Sequence, residues 1–360
     1  MLLNWADAVV ALNLAPGGRQ LFSAKLVVSM DQIRGNGHAG IPVEILDLGY
    51  PQVIELPPPR PVWRRKPLWP ALILFFVTLV TTLAVGSGFA ISYSHSVAPF
   101  SGDENPFAAI VAPLAHPHLL VLGIPFSLAL LGFLMAHEMG HYIACQIYGI
   151  DVSYPYFIPS PFLFGTFGAF LRIRSPIATR RALFDVGIAG PIAGFVVAVP
   201  LMAYAIAISK IVPGVQQNAD IVFGQPLLMK IFMGMFHPGA DASSLLLHPI
   251  GQAAWVGLFA TALNLLPCWQ LDGGHILYTL ASRKHKDISL VVSLVLIGMG
   301  IRWWHGWGLW GIILLILSLR FRHPPVYDRW EPLDAGRKLL AILAAAIFVL
   351  CFTQWPTNNP

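Results

Sequence analysis

Leu119-Leu-Val-Leu-Gly-Ile-Pro-Phe-Ser-Leu-Ala-Leu-Leu-Gly-Phe-Leu-Met-Ala136 runs without a charge into His137-Glu138-Met139-Gly140-His141. The apolar run is long enough to begin a membrane-spanning helix. Two histidines at i and i+4 then fall on one face of that helix, about one turn apart. That spacing lets both imidazoles reach a single tetrahedral zinc, with the glutamate between them free to handle a proton. Ionisable groups inside an apolar segment are costly and are kept there for function or paired. The competing reading is a helix whose two histidines are satisfied by neighbours, and the apolar context weighs against it. A second stretch, Asn264-Leu-Leu-Pro-Cys-Trp-Gln-Leu-Asp272-Gly273-Gly274, also follows a long apolar segment. Asp272 offers a third protein ligand, and the fourth position stays open for water, as a catalytic zinc site requires.

Composition sets the class. Hydrophobic residues make up 56% of the 360-residue chain, charged residues only 11%, and mean hydropathy is +0.68. Soluble domains carry about a quarter charged residues, so this is an integral membrane protein. The net charge of +5 does not argue for nucleic acid, because the basic residues track loop position. Three scattered cysteines, Cys145, Cys268 and Cys351, form no disulfide framework. Cys268 lies near Asp272 in sequence, but a small buried hydrophobe is its simpler reading. No cleavable signal peptide is expected, since the first twenty residues lack a basic stretch followed by an apolar one.

Apolar spans are expected near residues 68–92, 118–147, 182–208, 247–266, 287–302, 306–320 and 338–354. The fifth and sixth are short and could form a shallow hairpin. With the N-terminus in the cytoplasm, all but Lys210, Lys230 and Arg302 of the 22 Lys and Arg residues fall on the cytoplasmic side, as the positive-inside rule favours. His141 and Asp272 then lie at similar depth, toward the cytoplasmic ends of their helices.

Smaller features fill in the plan. Residues 41–50 and 52–56 suit short strands, and Pro57-Pro-Pro-Arg-Pro61 an extended linker. Residues 154–176 are apolar but rich in Pro and Gly, with Gly165 and Gly168 suggesting a hairpin or bend and 169–174 alternating like a strand. Irregular backbone at membrane depth survives only against protein or a water-filled cavity. A re-entrant β-loop beside the metal site is therefore expected, against the alternative of a cytoplasmic surface loop. The edge formed by Gly165, Thr166, Phe167, Gly168, Ala169 and Phe170 could pair with an unwound substrate segment. Gly187-Ile-Ala-Gly190-Pro191-Ile-Ala-Gly194 reads as close helix packing, bringing the helix of His137 near the helix leading to Asp272. Trp69, Trp303, Trp304, Trp307 and Trp310 suit interfacial anchors, and residues 225–236 an amphipathic surface helix. His275 could orient a ligand or substrate, with an ordinary interfacial histidine as the plainer reading.

The sequences HEMGH, GIAGPIAG and NLLPCWQLDGG occur in that order on three apolar segments, and together they resemble the site-2 protease family of intramembrane zinc metalloproteases over roughly residues 118–283. Phe164 to Pro176 looks most like its bacterial and plant-chloroplast branch. The resemblance implies that His137, His141 and Asp272 ligate one Zn2+ per chain, that Glu138 is the catalytic base, and that Asn264 helps hold the substrate backbone or the transition state. It implies cleavage of peptide bonds in or near transmembrane segments of membrane-protein substrates within the lipid bilayer. Neither an inserted PDZ domain nor a CBS domain is expected, and Gly194 stands where some members carry asparagine.

The fold expected is an all-α polytopic membrane protein with about six or seven transmembrane helices, a re-entrant β-loop and a three-helix catalytic core. Its parts are a cytoplasmic N-terminal region and linker (1–66), a first span and outer loop (67–117), the metalloprotease core (118–283) and C-terminal spans (284–360). The expected location is the bacterial inner membrane, with the site toward the cytoplasmic face. Two other readings stand open at this point. A pseudoprotease that holds helices without cutting them would show no cleavage, and a divalent-metal transporter would need a polar path across the bilayer.

Overall fold

A computed structural model describes residues 67–99, 113, 115–216, 219, 222–321, 323–326 and 332–358. The chain divides into two units, Met1–Arg60 and Pro61–Pro360, and every described residue belongs to the second. The strands expected at 41–56 and most of the proline linker lie outside the described residues.

The long helices follow the apolar runs. Helix α1 spans Trp69–Ser94, with a proline in its first turn, where a missing N–H costs nothing. A 3-10 turn, Pro117–Gly123, leads into α2, Ile124–Ile147, which carries the HEMGH motif. Helix α3, Arg180–Ala207, starts where the Thr179 side chain accepts a hydrogen bond from the Ala182 N–H. Short amphipathic α4, Leu227–Phe236, matches the surface helix expected at 225–236. Then come α5, Pro249–Asn264, and α6, Asp272–Ala281. Helices α7, His285–Arg302, and α8, His305–Arg320, form a hairpin, and α9, Ala335–Cys351, closes the order. Among the described residues three helical segments are long and apolar enough to cross a membrane: Trp69–Ser94, Pro117–Ile147 and Arg180–Ala207.

Three helices make the core that carries the site. Phe126, Leu130 and Phe133 of α2 pack with Phe184, Ile188 and Met202 of α3 and with Trp255, Leu258 and Ala262 of α5. Small residues let these backbones close up, as the glycine spacing predicts. A Cβ on Gly140 would come within 2.4 Å of the Ala189 carbonyl oxygen, and one on Gly257 within 2.9 Å of the Phe133 ring.

Between α2 and α3 the chain forms an antiparallel hairpin, β1 (Tyr156–Pro159) and β2 (Thr166–Phe170). Tyr156 faces Phe170 and Pro159 faces Thr166, with an irregularity at Ile158/Pro159. The strand is shorter than the 169–174 alternation suggests, because Leu171–Arg174 continue only as a bridge of Ile173 to Val152. Gly165 turns the tip with φ +75°, and a Cβ there would lie 2.7 Å from the Thr81 carbonyl oxygen. The Thr81 hydroxyl donates to the Gly165 carbonyl at 2.6 Å. Thr81 sits at the middle of α1, so the hairpin tip reaches halfway along that helix. Phe157 meets Phe75 of α1 edge to face at 5.2 Å.

The opposite ends of the helices gather two sets of loops. At one end, β3 (Lys210–Ile211) pairs with β5 (Leu245–Leu246), and β4 (Val222–Phe223) pairs with β6 (Thr357–Asn358) near the C-terminus. At the other end, Arg337 of α9 bonds Asp185 of α3 at 2.5 Å, and also reaches Tyr148 and Asp334. Tyr148 in turn donates to Asp185. Asp334 also caps α9, accepting from the Arg337 N–H at 3.0 Å.

Candidate metal centre

The two histidines sit one turn apart on α2, and Asp272 is the first residue of α6. An interruption of the helix between α5 and α6 brings the aspartate there. Asn264 ends α5, and a tight loop then delivers Asp272 to a helix N-terminus, where an anion is favoured. Two glycines make that turn possible. A Cβ on Gly273 would fall 2.1 Å from the Leu265 carbonyl oxygen, and one on Gly274 2.5 Å from those of Cys268 and Trp269.

The three expected ligands converge. His137 Nε2 lies 3.2 Å from His141 Nε2. Asp272 turns one oxygen to each ring: Oδ2 is 3.3 Å from His137 Nε2, and Oδ1 is 3.4 Å from His141 Nε2. Among the described residues these three form the one group of His, Cys, Asp or Glu whose donor atoms all lie within 4.8 Å of one another.

The spacing fits zinc. Tetrahedral bonds of about 2.0–2.1 Å set neighbouring ligand atoms about 3.3 Å apart. The observed edges match that figure and exceed the 2.7–2.9 Å of a charged hydrogen bond. Asp272 Oδ2 is buried with no hydrogen-bond partner, an orphaned anionic acceptor that a cation would satisfy. The backbone also prepares His141. Its Nδ1 lies 2.7 Å from the Val186 carbonyl, so that nitrogen carries the proton and Nε2 presents its lone pair. His137 Nδ1 is buried without a partner. A Cβ on Gly194 would lie 3.2 Å from it, so the glycine leaves this nitrogen bare.

The glycine motif does more than pack helices. A Cβ on Gly190 would sit 2.1 Å from His141 Nε2, so only glycine leaves room for the ligating ring. On sequence alone the motif reads as packing without chemistry. The contact with the imidazole adds a role that helix spacing does not reveal.

Two further expected residues are at the site. Glu138 is buried, at 6% exposure, within electrostatic reach of His137, His141 and Asp272. Asn264 places its amide nitrogen 3.3 Å from His137 Nε2. Cys268 is fully buried, with its Sγ 3.4 Å from the Ser289 carbonyl, in keeping with the plainer reading. His275 Nδ1 lies 2.8 Å from His323 Nε2. Val186, His323 and Gly190 carried no sequence signal for these contacts. One acts through its backbone, one lies 48 residues from its partner, and one acts by lacking a side chain.

Comparison with known proteins places this geometry in a family. The profile of Peptidase family M50 matches residues 125–301, which include His137, Glu138, His141, Asn264 and Asp272. The chain is 27% identical over 310 residues to "Probable zinc metalloprotease EGY1, chloroplastic" of Arabidopsis thaliana, covering 82% of this chain and 54% of the relative. To the protein of the same name from Oryza sativa subsp. japonica it is 26% identical over 317 residues, 84% of this chain and 52% of the relative. "Probable zinc metalloprotease EGY2, chloroplastic" of Arabidopsis thaliana is 32% identical over 189 residues, 50% of this chain and 33% of the relative. The chain thus spans about half the length, or less, of these curated relatives. The donor set, the helix order and these similarities agree: residues 125–301 match peptidase family M50, the site-2 protease family, and together the findings support a membrane zinc metalloprotease of that family.

Proposed function

We propose that this protein is an intramembrane zinc metalloprotease that hydrolyses peptide bonds in or near transmembrane segments of membrane-protein substrates. The observation that carries the reading is the triangle of His137, His141 and Asp272 donor atoms, held at zinc spacing between the long apolar helix α2 and the first residue of the short α6.

His137, His141 and Asp272 would hold a zinc ion, which would supply Lewis acidity for activating water and polarising the scissile carbonyl. Glu138 takes a proton from the attacking water and delivers it to the leaving amine. Asn264, beside His137, donates its amide to the substrate carbonyl oxygen as charge builds there. Val186 holds the His141 ring in its ligating tautomer throughout.

A helical substrate hides its own amides and must unwind before cleavage. In the described residues β2 pairs with β1 alone, so its other edge is free to offer backbone groups from Gly165 to Phe170 to an extended segment. Phe167 and Phe170 are exposed along it. The depth of the tip against Thr81 supports a re-entrant position. The alternation of α1, α2, α3, α5, α7, α8 and α9 between two ends supports about seven crossings, three by long helices and the rest by shorter ones. The basic residues favour an inner-membrane orientation with the N-terminus and the metal centre toward the cytoplasm. The core of residues 118–283 then carries the chemistry, and residues 284–360 add C-terminal spans.

The test is a comparison of wild type with Glu138→Gln. Wild type carries about one zinc per chain and cuts a membrane-segment substrate. The variant keeps its zinc and loses cleavage by about 100-fold or more. Full activity in Glu138→Gln would overturn the base assignment, and wild-type protein that binds membrane helices but never cuts them would make it a holding protein.

A further inference from the structure

Among the described residues a cavity of about 250 Å³ lies between the end of α6, the first turn of α7 and the end of α8, and none of the metal donors lines it. Tyr278, Ser282 and Lys286 line it at four-residue spacing across the α6–α7 junction. None of these three side chains takes a hydrogen-bond or ion-pair partner among the described residues. For Ser282 and Lys286, which are exposed, that is ordinary. For Tyr278 it is not. Its ring is 8% exposed and stacks on His323 at 4.0 Å, yet its hydroxyl is left unpaired. The hydroxyl itself opens on the cavity, and the cavity is where a partner for it would come from.

The lining selects the sign of that partner. It includes one ammonium group and several hydroxyls, and no carboxylate. Lys284, the residue before α7, supplies no side-chain cap, so the first N–H groups of α7 are open to an anion. Asp287 lies in the same turn but does not line the cavity. Trp269 and Phe321 supply apolar wall. The volume is below the roughly 300–1,000 Å³ of pockets for drug-sized ligands, which suits a small headgroup.

We propose that this cavity is a binding site for a phosphate ester, with Tyr278, Ser282 and Lys286 as its donors. The ester is carried by an anionic phospholipid or by a small soluble phosphate compound. The site borders the loop that ends in Asp272. The Trp269 N–H donates to Ser289 Oγ at 3.1 Å, and its carbonyl lies 3.0 Å from His285 Nε2. Both partners are in the first turns of α7, so an occupant bridging α6 and α7 steadies the loop that presents the aspartate.

The test measures binding to the purified full-length chain in neutral detergent, so it does not depend on proteolysis. The probes are phosphatidylglycerol, phosphatidylcholine and glycerol 3-phosphate. Phosphatidylglycerol is expected to bind more tightly than phosphatidylcholine. Lys286→Gln is expected to weaken it about tenfold, equivalent to about 1.4 kcal/mol, and Tyr278→Phe about threefold or more. Lys338→Gln, a basic position away from the cavity, is expected to bind as wild type does. Competition by glycerol 3-phosphate identifies a soluble ester as sufficient, and its failure to compete identifies the lipid as the source. Equal binding of both lipids with no binding of glycerol 3-phosphate overturns the proposal. So does unchanged binding in both Lys286→Gln and Tyr278→Phe.

Discussion

Two histidine clusters stand within a few residues of each other, and they are built differently. In the first, His137, His141 and Asp272 keep their facing atoms 3.2–3.4 Å apart, and Asp272 Oδ2 is buried without a hydrogen-bond partner. In the second, His275 Nδ1 meets His323 Nε2 at 2.8 Å, and His323 Nδ1 meets the Pro324 carbonyl at 2.8 Å. Burial pushes the His323 imidazole down to about 3, so the ring is neutral. Its Nδ1 donates to the carbonyl, and its Nε2 accepts from His275. The second cluster satisfies itself at hydrogen-bond length, whereas the first is held slightly too far apart for good hydrogen bonds and at the right distance to share an ion. Residue type does not separate them; spacing and unmet bonding capacity do.

That contrast is open to direct attack. The largest effect is expected from removing a metal donor. His141→Ala or Asp272→Ala should reduce bound zinc from about one per chain to near zero in elemental analysis, while His323→Ala should keep it. Zinc loss of equal size in His323→Ala would mean the two clusters are one site.

A smaller effect is expected from Gly190→Ala. The new methyl group would overlap His141 Nε2 and should lower zinc affinity by about 10- to 100-fold, the range seen when a ligand's support is disturbed. Gly132→Ala, with nothing within 4 Å of its Cβ, is the control. Chelator competition on the two proteins reads the difference, and equal affinities would show that the ring has room to move.

The smallest effect is expected at the clamp between α3 and α9. Asp185 precedes Val186, whose carbonyl orients His141, and Arg337 holds Asp185 from α9. Arg337→Ala removes a partly exposed, two-pronged pair worth about 1 kcal/mol. The thermal midpoint should fall by about 2–4 °C, with zinc content unchanged. A loss of zinc in that variant would extend the metal centre's support to the C-terminal helix.

Much of the site is legible before folding, for a local reason. The i, i+4 spacing of His137 and His141 is enforced by the helix itself, so a motif in an apolar run already fixes the direction of two ligands. Asp272 is legible through its surroundings, a proline and two glycines after an apolar segment. The positions of the apolar helices follow from hydropathy, which depends on neighbours in sequence. The hairpin is legible only in outline. Gly165 marks its turn, but the rest of α1 gives no hint that Thr81 receives it. Gly190 looks like any helix-packing glycine until the His141 ring is seen against it.

By itself, the sequence determined that this is a membrane protein with a histidine pair, a glutamate and a distant aspartate suited to one metal. Those properties rest on composition and on periodicities that a helix imposes over a few residues. Tertiary structure alone decided that the aspartate meets the histidines at zinc spacing, that Val186 sets a tautomer, and that Tyr278 is left without a partner beside a cavity. Each of these depends on groups brought together from different helices, or on a backbone carbonyl that every residue possesses, and no local pattern encodes such contacts.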